Sequence, residues 1–446
     1  MASVVDAQVT VRFVTADEYT EYRIDDDPIA IPRKLGRYGL SEVINHLLDK
    51  SVPQPFDFSL NDVLLREPLS DFIASQNLSV ENILTIEYFP AYGLSDRSER
   101  TDINAWIGCM DALYDEQLLF AGCFDGSIQV LSNGNNVANY KMQAHEDPIR
   151  AVTTWKNSDG IIITATGSKD QSIKCWSAAV TDNNKSSKKS KKSTPIASAA
   201  MDMSLQFSMN EHGSSVESLT YHSDREMLFS GDWTGNLLLW NVSSSSFLDG
   251  EAKEEGVEMK STTMTKAHTQ AISGIDVSQG DKMYTASWDH CLKQWDIERQ
   301  DCISVLTTES KIFTSLDFNF NTKIIATSHN DGKIRLWDTR KSTGTGTAME
   351  NTSLKISNSP VNAFVSQVKW HPTVTTHFVT CDYLGMVRIW DMRATSTPLD
   401  TVEAHDGKTL CLQWMPNNRS EVNTNASSAL YTGGSDCIVR KYDFGF

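Results

Sequence analysis

Histidine, threonine, aspartate and tryptophan recur in this chain in a set order. His145, Thr166, Asp170 and Trp176 make one set, and His268, Thr285, Asp289 and Trp295 make another. His405, Thr432 and Asp436 begin a third, with Tyr442 where the tryptophan would stand. An imidazole, a hydroxyl, a carboxylate and an indole can join in one hydrogen-bonded chain, because each donates or accepts where the next needs it. Repetition points to structure, not to a single reactive centre. No Gly-rich phosphate loop, nucleophile elbow, HExxH or Cys/His metal spacing is present, so no catalytic residue and no metal bound by the chain alone is expected. A different candidate stands alone. In QNLSVENILTIEYF, residues 76–89, Glu81 lies in a turn just before an alternating strand. Spacing alone makes it a solvated turn residue.

The elements that must position these groups fall into two zones. Residues 6–90 read as a small domain. Val9, Val11 and Phe13 alternate on one strand, and a second extended stretch ends near Pro32. Leu40, Val43, Ile44, Leu47 and Leu48 form the apolar stripe of an amphipathic helix. Phe56, Phe58 and Leu60 alternate again, LSDFIA gives a helical turn, and Leu84 to Tyr88 closes the unit. That order of strands and helix is a ubiquitin-like β-grasp.

From residue 105 onward one phrase recurs seven times, from AGCFDGSIQVL to TGGSDCIVRKY. Each copy is a strand, a tight turn that usually holds Asp, and a second strand that usually ends in an aromatic. A period of about 40–45 residues with insertions fits a β-propeller. Trp295-Asp296, Trp337-Asp338 and Trp390-Asp391 carry the WD dipeptide itself. The fold class expected is therefore mainly β, a β-grasp domain followed by a seven-bladed WD40 propeller at 105–446. Thr234 and Leu384 replace the turn Asp in the third and sixth copies, and the fifth lacks the histidine, so those blades are expected to be less tightly tied. The last copy ends after its third strand, and residues 91–104, between the domains, are expected to supply the fourth and close the ring. Insertions at 181–199 and 243–262 are polar and are expected to be mobile surface loops.

The chain of 446 residues carries a formal charge of −17, which argues against an all-over nucleic-acid binder. Lys185, Lys188, Lys189, Lys191 and Lys192 are the local exception, read either as a solvated loop or as a nuclear-localisation or ribosomal RNA contact. The N-terminus has no signal-peptide pattern and no run is long enough to span a membrane. The eight cysteines form no CxxC pair and read as reduced core residues of an intracellular protein.

KLGRYGLSEVINHLL, PFDFSLNDVLLR and LSVENILTIEY, followed by seven WD repeats, resemble the WD-repeat ribosome-biogenesis factor family of the PeBoW complex. The resemblance covers nearly the whole chain. It implies a non-enzymatic assembly factor of the large ribosomal subunit, in the nucleolus and nucleoplasm, supporting maturation of the 5.8S and large-subunit ribosomal RNAs. The partners implied are a Pescadillo homologue, the block-of-proliferation WD-repeat protein on the propeller, the pre-ribosomal particle, and the AAA ATPase midasin on the ubiquitin-like domain. The family's functional carboxylate matches Glu81, which the resemblance makes a ligand in trans for Mg²⁺ in midasin's adhesion site; the chain needs no cofactor of its own. The Notchless-like paralogue resembles it too, but has eight blades. A separate reading comes from Trp337-Asp338-Thr339-Arg340 and Trp390-Asp391-Met392-Arg393, which match the WDxR pattern of cullin-RING substrate receptors.

Overall fold

A computed structural model describes residues 8–16, 19, 22–49, 55–61, 63–65, 67–79, 82–91, 93–132, 140–181, 200–242, 257–258, 261–264, 266–278, 280–307, 311–341, 351–355, 363–393, 398–416 and 428–445. The N-terminal domain runs β1 (Gln8–Val14), β2 (Ile29–Pro32), α1 (Arg37–Leu48), β3 (Phe56–Leu60), β4 (Val63–Leu64), α2 (Leu69–Ser75) and β5 (Leu84–Pro90). Its sheet is ordered β2-β1-β5-β3-β4, with β1 and β5 parallel at the centre. Alternation puts Val9, Val11 and Phe13 inside, and α1 packs on β3 with Leu40 and Ile44 fully buried. Leu47, part of the expected stripe, instead faces solvent. Aromatic rings fill the centre: Phe56 meets Tyr22 and Tyr88 edge-on, and the Tyr88 hydroxyl donates to the Tyr22 carbonyl over 2.7 Å.

The remainder forms seven sheets whose innermost strands are Ile107–Leu113, Ile149–Lys156, Val216–His222, Ile272–Val277, Phe313–Asn319, Val365–Trp370 and Thr409–Pro416. Each inner strand packs on the next and the last packs on the first, so the propeller is a closed ring. Side chains and backbone tie neighbours together. Asp111, Asp276 and Asp317 each accept a backbone N–H from the next inner strand, at 2.7, 2.8 and 2.7 Å, from Thr154, Phe318 and Trp370. Lys369 donates to Asp317 over 2.9 Å. Burial opposes charge on Lys369, but Asp317 and Asp276 outweigh it and keep the ammonium protonated.

The seventh sheet takes its outer strand from β6 (Gly93–Asp102), which precedes the whole ring. β6 pairs antiparallel with the strand Ile438–Gly445, from Gly93 opposite Gly445 to Asp102 opposite Ile438. Most of the insertions at 181–199 and 243–262 lies outside the described residues. Part of the second is strand, not loop: Val257 and Glu258 pair in parallel with Phe207 and Ser208 as a fifth strand on blade 2. The cysteines are all free; Cys123, Cys175, Cys381 and Cys411 are core residues, whereas Cys302 is exposed.

Candidate functional site

The repeated polar sets assemble in blades 2, 4 and 7. His145 Nδ1 lies 2.8 Å from Asp170 Oδ2, and since a carboxylate only accepts, Nδ1 holds the proton. Nε2 then faces the Thr166 hydroxyl at 2.8 Å, and Trp176 Nε1–H donates to that hydroxyl over 3.1 Å. In blade 4, His268 bridges Asp289 at 2.9 Å and Thr285 at 2.7 Å, and Trp295 closes the set at 2.8 Å. His405 bridges Asp436 and Thr432 at 2.9 and 2.8 Å in blade 7. Burial alone would raise the Asp170 and Asp289 carboxyls. The histidine together with the other donors, Ser172 on Asp170 and the Thr269 and Cys291 amides on Asp289, outweighs it and holds both below the usual range. The histidine comes from the loop entering the blade, the threonine from the second strand, the aspartate from the turn and the indole from the third strand. One network thus fastens four pieces of chain.

The blades expected to be loosely tied are not all loose. Blade 3 has Thr234 at the turn, but Asp232, two residues earlier, does the work. It accepts from His212 Nδ1 over 3.1 Å and from the Thr234 and Asn236 amides, both over 2.9 Å. His212 Nε2 and Trp240 Nε1 meet on Ser230 at 2.6 and 2.8 Å, so the network is complete. Blade 6 uses the same earlier position. Asp382 accepts from the Leu384 and Met386 amides and from Arg388 at 2.5 Å. Blade 5 lacks the loop histidine, yet His329 occupies the equivalent of Asp232 and reaches Thr327 at 3.0 Å and the Ile312 carbonyl at 3.2 Å. Burial pushes His329 down to about 3, so it stays neutral.

In blades 2, 3, 4 and 7 these polar groups bond one another within the blade. Among the described residues no group of three or more His, Cys, Asp or Glu side chains could hold a metal ion. Glu81 and Lys185, Lys188, Lys189, Lys191 and Lys192 lie outside the described residues. The flank of Glu81 is described. Ile83 is 48 % exposed, and the next residue, Leu84, turns into the core as β5 begins.

A feature that the sequence reading passed over lies at one mouth of the channel. All seven inner strands carry a β-bulge near their start, at Gly108, Arg150, Glu217, Ser273, Thr314, Ser366 and Leu410. A bulge leaves one residue unpaired and re-aims it. Here all seven line a cavity of about 320 Å³. Around it stand three aromatic pairs: Trp106 with Phe124 at 5.7 Å, Trp233 with Trp288 at 4.8 Å, and Phe364 with Tyr383 at 4.4 Å. Arg150 lies over Phe124 and bonds Glu217 at 3.0 Å, and Lys408 lies over Tyr383. Trp106 and Trp233 are 48 % and 44 % exposed. Exposed tryptophan and tyrosine beside arginine is the composition of a protein-docking surface. The signal was present in the repeats, since Phe124, Trp233, Trp288 and Tyr383 all stand one residue before the turn Asp or its replacement.

The two WDxR arginines differ. Arg340 is exposed and, among the described residues, grips Asp338, at 2.8 and 2.9 Å. Arg393 bonds Asp391 at 2.9 Å and also reaches Glu87 of the N-terminal domain at 3.4 Å.

Comparison with known proteins finds two families that match different parts of the chain. The NLE (NUC135) domain family matches residues 9–73. The WD domain, G-beta repeat family matches residues 136–177, 196–241, 259–296, 300–338 and 396–443. A protein of Oryza sativa subsp. japonica named ribosome biogenesis protein WDR12 homolog is 29 % identical over 430 residues, 91 % of this chain and 92 % of its own. Proteins of the same name from Chlamydomonas reinhardtii and Arabidopsis thaliana are both 25 % identical, over 98 % of this chain and 98 % and 96 % of theirs.

Proposed function

On the premise that this chain, with its NLE domain and WD40 ring, is a homologue of the ribosome biogenesis proteins it matches from end to end, we propose that it is a non-enzymatic assembly factor of the large ribosomal subunit. The observation that carries the reading is that the match covers both domains in their order, since WD repeats alone serve many functions. The place of work is the nucleolus and nucleoplasm. The factor acts in a PeBoW-type complex with a Pescadillo homologue and the block-of-proliferation protein, in support of pre-rRNA processing. The rigid ring with its aromatic mouth suits a docking role.

The ubiquitin-like domain is the handle by which the complex is released. Glu81 completes the coordination of a Mg²⁺ held by midasin. Mg²⁺ takes oxygen ligands in near-octahedral geometry, and a carboxylate from a partner fills an open position with a strong charge–metal contact. β5 begins three residues after Glu81, with Leu84 in the core. Asp would fall one methylene short. The lysine run at 185–192 serves nuclear entry or contact with ribosomal RNA. The test is binding of purified full-length chain to the midasin adhesion domain in Mg²⁺ and in EDTA. Glu81→Gln should reduce binding in Mg²⁺ to the level seen in EDTA, with unchanged thermal stability. Undiminished Mg²⁺-dependent binding by that variant would overturn the assignment.

A further inference from the structure

Among the described residues three ties hold the ubiquitin-like domain to the ring, a short covalent link, the contacts of Arg393 and a shared apolar cluster, and they have different consequences. The first is covalent. β5, which lies between β1 and β3, ends at Pro90, and β6 starts at Gly93. Only Ala91 and Tyr92 separate the last strand of one domain from the strand that closes the other. The second tie is Arg393, which follows the third strand of blade 6. Its guanidinium bonds Asp391, itself buried, through Nη2 at 2.9 Å and Nε at 3.2 Å. It reaches Glu87 Oε1 on β5 at 3.4 Å and lies 5.4 Å from the centre of the Phe89 ring. Glu87 is held from the other side by the Ser59 hydroxyl of β3 at 2.9 Å. A single apolar cluster runs from Tyr88 and Phe89 into Leu399, Trp414, Tyr442 and Phe444 of blades 6 and 7.

We infer that Arg393 is a latch which fixes the ubiquitin-like domain on blade 6 and thereby protects the ring's closing strand, β6. Closure of this ring is non-covalent, so it depends on the pairing of β6 with Ile438–Gly445. The Gly93–Gly445 end of that pairing is the end nearest the ubiquitin-like domain. Any motion of that domain relative to the ring enters there, where strand pairs separate one at a time. Arg393 bypasses this route: it carries the domain's position to the frame of blade 6 through a buried aspartate. Its planar fork serves two carboxylates while one face covers an aromatic ring, which a lysine cannot reproduce. Arg340 occupies the same place in the WDxR pattern on blade 5 and touches no second domain among its described contacts, so it provides an internal control. The latch also gives Arg393 a use that does not involve an outside ligase. Its bearing on release from a partner rests on the Glu81 reading, but the latch itself does not.

Hydrogen exchange of the full-length chain tests it, with peptides covering 93–102 and 438–445, alongside spin-label distances between α2 and the outer face of blade 4. Arg393→Ala should speed exchange across β6 by about tenfold and broaden the distance distribution. Glu87→Gln, which leaves the Arg393–Asp391 pair in place, should do the same to a lesser degree, and Arg393→Lys should rescue only partly. Arg340→Ala should change neither. Unchanged β6 exchange in both Arg393→Ala and Glu87→Gln would overturn the inference, whether or not the distances broaden. Because no partner is present, that outcome is distinct from a failure of the Glu81 assignment.

Discussion

Asp232 gives the most exacting test of how the ring is held. It accepts five hydrogen bonds: from His212 Nδ1, the Thr234 amide and hydroxyl, and the Asn236 amide and side chain. Burial would raise its pKa, but these donors hold it at about 2. Asp232→Ser would leave the buried His212 N–H without its acceptor, at a cost of about 1–3 kcal/mol, while turn donors near the surface recover water at about 0.5 kcal/mol each. With four such donors the sum is about 3–5 kcal/mol. Blades 2 and 4 show the remedy. They carry Ser168 and Ser287 at the position of Asp232, and Asp170 and Asp289 at that of Thr234. Asp232→Ser combined with Thr234→Asp should therefore recover stability to within about 1 kcal/mol, a coupling of at least about 2 kcal/mol between sites that share a network. Thr234→Asp alone should not stabilise, because it sets a second carboxylate beside the first. The assay is urea denaturation at pH 7, with hydrogen exchange of the 227–241 hairpin to locate the effect. A double variant no more stable than Asp232→Ser, or a single variant that costs under about 0.5 kcal/mol, would refute the reasoning.

Other outcomes follow from the same structure. Burial lowers His268 and His405 despite their aspartates, and takes His329 and His371 to about 3 and His377 to about 4. These folded-state values lie below the unfolded value of about 6.5, so the stability they provide is complete above that pH and is lost as pH falls from it toward the folded values. Each buried imidazole should add a slope of about 1.4 kcal/mol per pH unit in that window, and a urea midpoint constant from pH 7 to 5 would contradict this. Trp233→Ala at the channel mouth should weaken the complex with the block-of-proliferation partner about 30-fold while changing stability by under about 0.5 kcal/mol, as read by calorimetry and thermal melting. Gly235, at φ +88°, follows the turn in blade 3 against the His268 carbonyl; Gly235→Ala should cost at least about 1 kcal/mol by the same urea assay.

The repeats made the ring legible because hydrophobic alternation, turn glycine and terminal tryptophan come at fixed offsets. The β-grasp order was legible for the same reason, in the alternation of Val9, Val11 and Phe13 and the stripe from Leu40. What the repeat pattern concealed was substitution by a neighbour. Asp232, Asp382 and His329 stand two residues from where the pattern seeks a turn Asp, and alternation returns their side chains to the same face. The aromatic mouth was only half legible: an aromatic before the turn recurs among the repeats, but what it faces shows only once the bulges open the channel beneath it. Contact between Arg393 and Glu87 spans 306 positions, and no local pattern announces it. Glu81 is the opposite case: it owes its standing to resemblance, and spacing alone leaves it an exposed turn glutamate.

The central claim is that this chain assembles large ribosomal subunits. Affinity purification of the tagged full-length protein, with mass spectrometry and RNA sequencing of the bound material, tests it most directly. Recovery of a Pescadillo homologue, the block-of-proliferation protein and large-subunit precursor RNA is the expected result. Recovery of a cullin adaptor in their place, with no precursor RNA, would contradict it.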